Sequence, residues 1–433
     1  MRPLSVCFAS YRGNMNCGGQ GIYLYHLARE LARAGHVVDV LVGPPWPAEM
    51  PFARSVERVP NEQFWGKWFL RDWKRLLPRP NPLRVFEPLH FFEFGWSRFG
   101  FLPEPFAFSV RAFRSVAARL AAGARYDLVH DVQCLGYGLL GLRALGLPVV
   151  STVHHPLTVD RLASFARDRS LREALGTMEF YPVGMQAVVA RRLDRVITSS
   201  EVTRRRIEDD FRVAPERLAN VGNGLDTEHF RPDPTAERRE GELLCVGRAS
   251  DPTKGVATLV RALALLAPGY RLTLVDDDGP GNEARRLAAR LGCADRLHIT
   301  GRVSEDALVA LYRRAMLVVV PSRYEGFGLP AAEAMACGTP VVAAAAGALP
   351  EVVRTGGGGV LVPPEDPEAL AKAIATLGEQ PEARHELGAR APARIEAAYA
   401  WPRVAARTAD VYREVLAERR AARGRPASTT TSA

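Results

Sequence analysis

Along the second half of the chain, short apolar runs rich in β-branched residues alternate with longer stretches in which apolar positions return at helical spacing. Strands are predicted over 242–246, 271–275, 296–300, 316–321 and 339–343, and helices over 256–266, 283–291, 305–314 and 330–336. Repeated βα units join parallel strands by right-handed crossovers, so the pattern predicts a doubly wound sheet with helices on both faces. The first half repeats the theme, with strands over 4–9, 37–42, 127–130, 148–153 and 195–198 and a helix over 21–34 closed by Gly35 and His36. A polar stretch, 226–241, carries Pro232 and Pro234 and is the predicted linker between two α/β domains.

Size and composition fit that picture. A chain of 433 residues is too long for one small core, and 47% hydrophobic with 24% charged residues is the balance of an ordinary globular protein. No apolar run reaches the ~18 residues needed to cross a bilayer; the longest candidate, 139–153, is broken by Gly141, Arg143, Gly146 and Pro148. Arg2 precedes an apolar stretch too short for a signal-peptide core, which reads as a first strand, so a cytoplasmic protein is expected. The six cysteines show no metal-ligand spacing, and Cys7 and Cys245 fall inside strand-like runs, so buried thiols are expected. A net charge of +9 attracts anions without naming one, and no nucleic-acid-binding motif accompanies it.

One stretch departs from the βα rhythm. Residues 64–108 hold 14 of the 35 aromatic side chains, including Trp65, Trp68, Trp73 and Trp96, interleaved with Lys67, Arg71, Lys74, Arg75, Arg79 and Arg84. Between positions 54 and 114 there are 11 basic and 6 acidic residues. Two readings stay open: an inserted subdomain with its own core, beside a small natural-product-like acceptor, or a surface for a lipid-linked acceptor with peripheral contact to an anionic membrane. The end of the chain, 418–433, turns basic and then Ser/Thr-rich and reads as a frayed tail.

Three motifs carry candidate chemistry. Gly18, Gly19 and Gly21 lie between a strand and a helix, where small residues let backbone N–H groups approach a phosphate, although the run Asn16-Cys17-Gly18-Gly19-Gln20-Gly21 is not a dinucleotide fingerprint. Gly247-Arg248 and Lys254-Gly255 place two cations at the carboxyl end of a strand, where open α/β sheets bind ligands; the alternative is a pair of surface side chains. Most specific is Glu325-Gly326-Phe327-Gly328-Leu329-Pro330-Ala331-Ala332-Glu333, closing at Gly338. Pro330 suits a first helical turn and Gly338 a stop, so a short helix aims its N-terminus at the turn. Carboxylates accept pairs of hydroxyl hydrogen bonds, which suits a sugar for Glu325 and a ribose for Glu333.

From these residues, with His154, the run Gly222-Asn223-Gly224-Leu225-Asp226 and a C-terminal helix near 401–419, the chain resembles the retaining glycosyltransferases of family 4, which have the GT-B fold. The resemblance implies two Rossmann-like domains facing across a cleft: an acceptor domain over 1–225 with an insertion at about 50–115, a nucleotide-sugar domain over 226–400, a helix over 401–420 returning to the first domain, and a disordered tail over 421–433. It implies that Arg248 and Lys254 hold the donor diphosphate, Glu333 the ribose, and Glu325 the transferred sugar. Backbone amides of Gly326, Phe327, Gly328 and Leu329 would meet sugar and phosphate, Gly19 would approach the diphosphate, and His154 a sugar hydroxyl. Two departures stand out: His155-Pro156 follows His154, and Asp276-Asp277-Asp278 replaces a glycine-containing segment. The acidic triplet imitates a metal-binding Asp-x-Asp but reads as a solvated loop. No metal or cofactor is expected, because Arg248, Lys254 and a helix N-terminus can neutralise a leaving diphosphate. Two rivals use related folds: a sugar-nucleotide epimerase and a nicotinamide-dependent oxidoreductase.

Overall fold

The computed structural model describes residues 2–14, 19–60, 77, 81–98, 102–165, 175, 177 and 182–424. Two compact units emerge, one from the described residues of Met1–Ser199, Thr203–Val221 and Val404–Ala433, the other from Ser200–Val202 and Gly222–Arg403.

The first unit holds a seven-stranded, wholly parallel sheet of order β3-β2-β1-β4-β5-β6-β7, made of β1 (Ser5–Ser10), β2 (Val37–Val42), β3 (Ser55–Arg58), β4 (Leu128–Val132), β5 (Val149–Val153), β6 (Arg195–Thr198) and β7 (Leu218–Asn220). Its helices are α1 (Gly19–Arg33), α2 (Pro88–Arg98), α3 (Glu104–Ala121), α4 (Gly138–Ala144), α5 (Leu157–Phe165), α6 (Val183–Ala190) and, from Thr203 on, α7 (Glu201–Phe211). Being covered on both faces, β4 and β5 are buried at every position. Their polar residues are therefore paired internally: His130 meets the Tyr412 hydroxyl through Nδ1 at 2.5 Å and Thr152 Oγ1 through Nε2 at 2.8 Å. Burial pushes the His130 pKa down to about 3, leaving a neutral imidazole.

The second unit repeats the plan with six parallel strands in the order β10-β9-β8-β11-β12-β13: β8 (Arg239–Val246), β9 (Arg271–Val275), β10 (Leu297–Ile299), β11 (Ala315–Val320), β12 (Val341–Ala344) and β13 (Gly359–Val362). Around it lie α8 (Val256–Leu265), α9 (Glu283–Arg290), α10 (Glu305–Arg314), α11 (Leu329–Ala336), α12 (Leu349–Gly356), α13 (Pro367–Gly378) and α14 (Pro381–Tyr399). In each sheet the strand order reverses beside the first strand, between β1 and β4 and between β8 and β11. That reversal opens a crevice at the carboxyl ends of the strands.

Several expectations need correction. The stretch 226–241 is not a free linker: the division falls before Gly222, and Phe230 within the stretch is buried in the second unit's core. Strands β3, β7 and β13 were not predicted. The last helix, α15 (Trp401–Gly424), runs through 421–424, where a tail was expected; from Val404 on it belongs to the first unit, where Arg419 reaches Asp194 at 2.8 Å. Residues 425–433, together with Trp65, Trp68, Trp73 and Gly18, lie outside the described residues. Of the cysteines, Cys7, Cys134, Cys245, Cys293 and Cys337 are buried and unpaired. Among the described residues no helix is long and apolar enough to cross a membrane.

Candidate active site

Four loops at the carboxyl ends of the second unit's strands converge around one ion pair. The loop after β8 carries Arg248, whose exposed side chain has no partner among the described residues. It continues through a turn in which Asp251 accepts from Thr253 N–H and ends at Gly255, whose φ of +64° starts α8. Lys254 in that turn donates from Nζ to Glu325 Oε1 at 2.9 Å. Ser322 Oγ donates to the same oxygen at 2.8 Å. Glu325, 8% exposed, is thus a buried carboxylate held by one cation and one hydroxyl.

The backbone that carries Glu325 is clamped as well. Its carbonyl accepts from Ala348 N–H at 2.9 Å, and Gly347, at φ +55°, leaves only enough room for a hydrogen: a Cβ there would lie 2.4 Å from that carbonyl oxygen. Gly328, at φ +102°, caps α11, and Pro330 follows in its first turn. The helix therefore presents its N-terminal amides beside the Lys254–Glu325 pair. Phe327 is itself core, packed edge-on to Tyr399 at 4.9 Å, so only its backbone is available to a ligand. Leu329 is partly buried, and the Gly326 carbonyl accepts from Ser200 Oγ at 2.8 Å. One helical turn further, Glu333 Oε2 accepts from the buried Tyr312 hydroxyl at 2.7 Å. Burial raises the Glu333 carboxyl to about 7, against the lowering effect of that bond.

The acidic triplet is not a solvated loop throughout. Asp276 is buried, and Oδ2 accepts from Ala249 N–H at 2.9 Å and from Asn282 Nδ2 at 2.8 Å. It anchors the loop that carries Arg248, a task invisible in the sequence because 27 positions separate Asp276 from Ala249. Asp277 and Asp278 are exposed, and Asp278 pairs with Arg285.

In the first unit, Gly19 is exposed at the first residue of α1, with nothing within 4 Å of where a Cβ would stand. Gly21 is tight, since its Cβ would lie 2.3 Å from the Asn14 carbonyl oxygen. His154 follows β5. Its N–H donates to Gln133 Oε1 at 2.9 Å, and its carbonyl accepts from Ser199 Oγ and Thr203 Oγ1. The backbone is therefore committed, and the imidazole is the part left to act: Nε2 is buried without a partner, and Tyr23 meets the ring edge-on at 4.7 Å. Burial, with a smaller effect from His155, pushes this pKa down to about 3, so His154 offers a neutral hydrogen-bonding group.

Sequence comparison identifies the lineage of this arrangement. Residues 17–229 match the family model described as Glycosyltransferase Family 4, and residues 226–394 the one described as Glycosyl transferases group 1. The chain is 39% identical over 417 residues to the MMP alpha-(1->4)-mannosyltransferase of Mycolicibacterium hassiacum, covering 96% of this chain and 99% of that one. It is a family 4 glycosyltransferase. A D-inositol 3-phosphate glycosyltransferase of Saccharomonospora viridis is 32% identical over 431 residues, with 94% of this chain and 91% of that one covered. Among solved structures, the sucrose-phosphate synthase of Thermosynechococcus elongatus superposes with a TM-score of 0.69 at 26% identity, over 96% of this chain and all of the other. Anabaena HepE in complex with UDP-glucose gives 0.68 at 20% identity, over 95% of this chain and all of the other. The fold of this glycosyltransferase is accordingly GT-B. Neither the epimerase nor the nicotinamide alternative finds support in these relatives.

Sequence reasoning missed Ser322 and Tyr312 and read Asp276 as part of a solvated loop; all three hold the predicted groups rather than offering themselves to a ligand.

Proposed function

We propose that this glycosyltransferase moves a hexosyl group from a nucleoside diphosphate sugar to an acceptor hydroxyl with retention of anomeric configuration. The observation that carries the reading is the Lys254–Glu325 pair at the carboxyl ends of β8 and β11, beside the exposed Arg248 side chain and the N-terminus of α11. Fixed positive charge on Lys254 and Arg248 stabilises the diphosphate as it leaves, and α11 adds the partial charge of its amides. Glu325, held by Lys254 and Ser322 through Oε1, turns its other oxygen to hydroxyls of the transferred sugar. No carboxylate is assigned as nucleophile. The departing phosphate oxygen takes the acceptor proton on the face it leaves, which preserves the configuration. In the first unit, the neutral His154 imidazole is the group assigned to a sugar hydroxyl through Nε2.

The Mycolicibacterium relative's name makes mannose the first sugar to test and an α-(1→4) link the first linkage. A lipid-linked acceptor is the second reading, favoured by Leu83, Phe86, Phe91 and Trp96, all of which stay exposed in and around α2.

A thermal-shift screen with UDP, GDP and ADP and their sugars identifies the donor; ligand at 100 times its Kd stabilises by about 2.7 kcal/mol. With that donor, Glu325→Ala and Lys254→Ala should each abolish transfer while the protein remains folded. Near-wild-type turnover in both variants overturns the assignment.

A further inference from the structure

Glu333 has two oxygens with different surroundings. Oε2 is bonded to the fold through Tyr312, whereas Oε1 has no protein donor among the described residues. Tyr312 is fully buried and immobilised from several sides: its carbonyl accepts from Thr339 Oγ1 at 2.7 Å, the Phe230 ring stands edge-on at 6.1 Å, and it lies in the core cluster with Leu244, Val318 and Met335. A hydroxyl fixed in this way fixes the carboxylate that it meets. It also selects the ionised form, because a carboxylate accepts that hydrogen bond better than a protonated acid does.

We propose that Tyr312 is a positioning residue for nucleotide recognition: its hydroxyl holds Glu333 in the rotamer and charge state in which Oε1 receives the ribose diol of the donor. The inference rests on the nucleoside diphosphate sugar reading above.

A pH signature follows. Among the described residues, Glu305, Cys337 and Cys245 act on the charge of the pair. Glu305, on the first turn of α10, raises the Glu333 pKa slightly by like charge, and Cys337 and Cys245 are thiols pushed up to about 12 by burial. Glu333 itself sits near 7, so it loses its proton as the diol binds, and affinity for a sugar nucleotide should rise as pH passes upward through neutrality. Sugar nucleotides lack the terminal phosphate ionisation that would obscure this trend.

The test is calorimetric titration of the full chain with GDP-mannose, UDP-glucose and ADP-glucose between pH 5.5 and 9, on wild type, Tyr312→Phe and Glu333→Gln. For whichever sugar nucleotide binds, Tyr312→Phe should weaken binding about tenfold at pH 7 and recover to within about threefold at pH 9, because the carboxyl that has lost its donor ionises later. Damage to packing would weaken binding equally at every pH and would overturn the proposal. Glu333→Gln should bind weakly and without pH dependence; this arm decides the matter if Tyr312→Phe unfolds, since a pH dependence that persists in Glu333→Gln belongs to another group. Wild-type affinity of Tyr312→Phe across the range sinks this inference and leaves the donor reading intact. Failure of all three sugar nucleotides to bind sinks both.

Discussion

Gly255 stands between the two halves of the central ion pair, which makes Gly255→Ala an informative substitution. At φ +64° an alanine pays for the left-handed conformation with about 1–2 kcal/mol. Sterics add to this: a Cβ on Gly255 would lie 2.0 Å from the Pro321 carbonyl oxygen, and real contacts of this kind essentially never fall below 3.0 Å. Relief requires a movement of about 1 Å by backbone on one side or the other, at an overpacking cost of roughly 1–3 kcal/mol. Whichever side yields carries a member of the site, since Lys254 precedes Gly255 and Ser322 and Glu325 follow Pro321. A 1 Å misplacement of groups that orient a substrate costs about 100-fold in rate. The expected outcome is a loss of about 2–5 kcal/mol, a Tm lowered by roughly 4–20 °C, and turnover reduced about 100-fold. Scanning calorimetry and steady-state transfer with the identified donor measure both effects. Gly269→Ala is the control, because nothing lies within 4 Å of its Cβ position. A Gly255→Ala protein with a Tm within 2 °C of wild type and turnover within threefold would refute the geometry on which the site description depends.

Two further outcomes are expected. Asp131 is fully buried; Oδ2 accepts from Ser151 Oγ and from the N–H groups of Cys134 and Leu135, while Oδ1 has no partner. Burial outweighs those donors and raises its pKa to about 7, so the folded chain keeps a proton that the unfolded chain releases near 4. The associated stability is fully present below about pH 4 and is lost as pH rises through 7, so urea midpoints should fall between pH 5 and 8 more steeply for wild type than for Asp131→Asn; equal slopes would contradict the shift. For the exposed apolar group, sedimentation with equimolar phosphatidylglycerol and phosphatidylcholine vesicles at physiological salt should pellet the wild type and leave a Phe86→Ser, Phe91→Ser, Trp96→Ser triple variant in the supernatant. Wild-type protein that stays in the supernatant returns the acceptor to the soluble class.

The elements legible in the sequence are those whose local pattern is their cause. Ala315–Val320 is apolar at every position and Val149–Val153 is β-branched at all but Ser151, and parallel strands covered on both faces need little else. Missed strands lack that signature: Gly359–Val362 emerges from Gly356, Gly357 and Gly358 and reads as loop, while Ser55–Arg58, at the sheet edge, is short and has one apolar residue, Val56. In the site, Glu325 and Glu333 stand out because their spacing is set by one turn and one short helix, and Lys254 because it follows a strand with Arg248 and precedes a glycine. The roles of Tyr312 and Asp276 do not, because what they do depends on a partner 21 or 27 positions away, and only the closed sheet brings the two together.

The path of the last helix bears on how this chain is made. Tyr412, Glu418 and Arg419 bond to His130, Arg195 and Asp194, so the first unit uses residues from both ends of the polypeptide. During synthesis its first strands leave the ribosome early, yet their buried His130 waits for Tyr412 while the 182 residues of Gly222–Arg403 are added, about 10–40 s at ~5–20 residues per second. The second unit, continuous apart from Ser200–Val202, can close in that interval, so the part of the enzyme begun first is the part completed last.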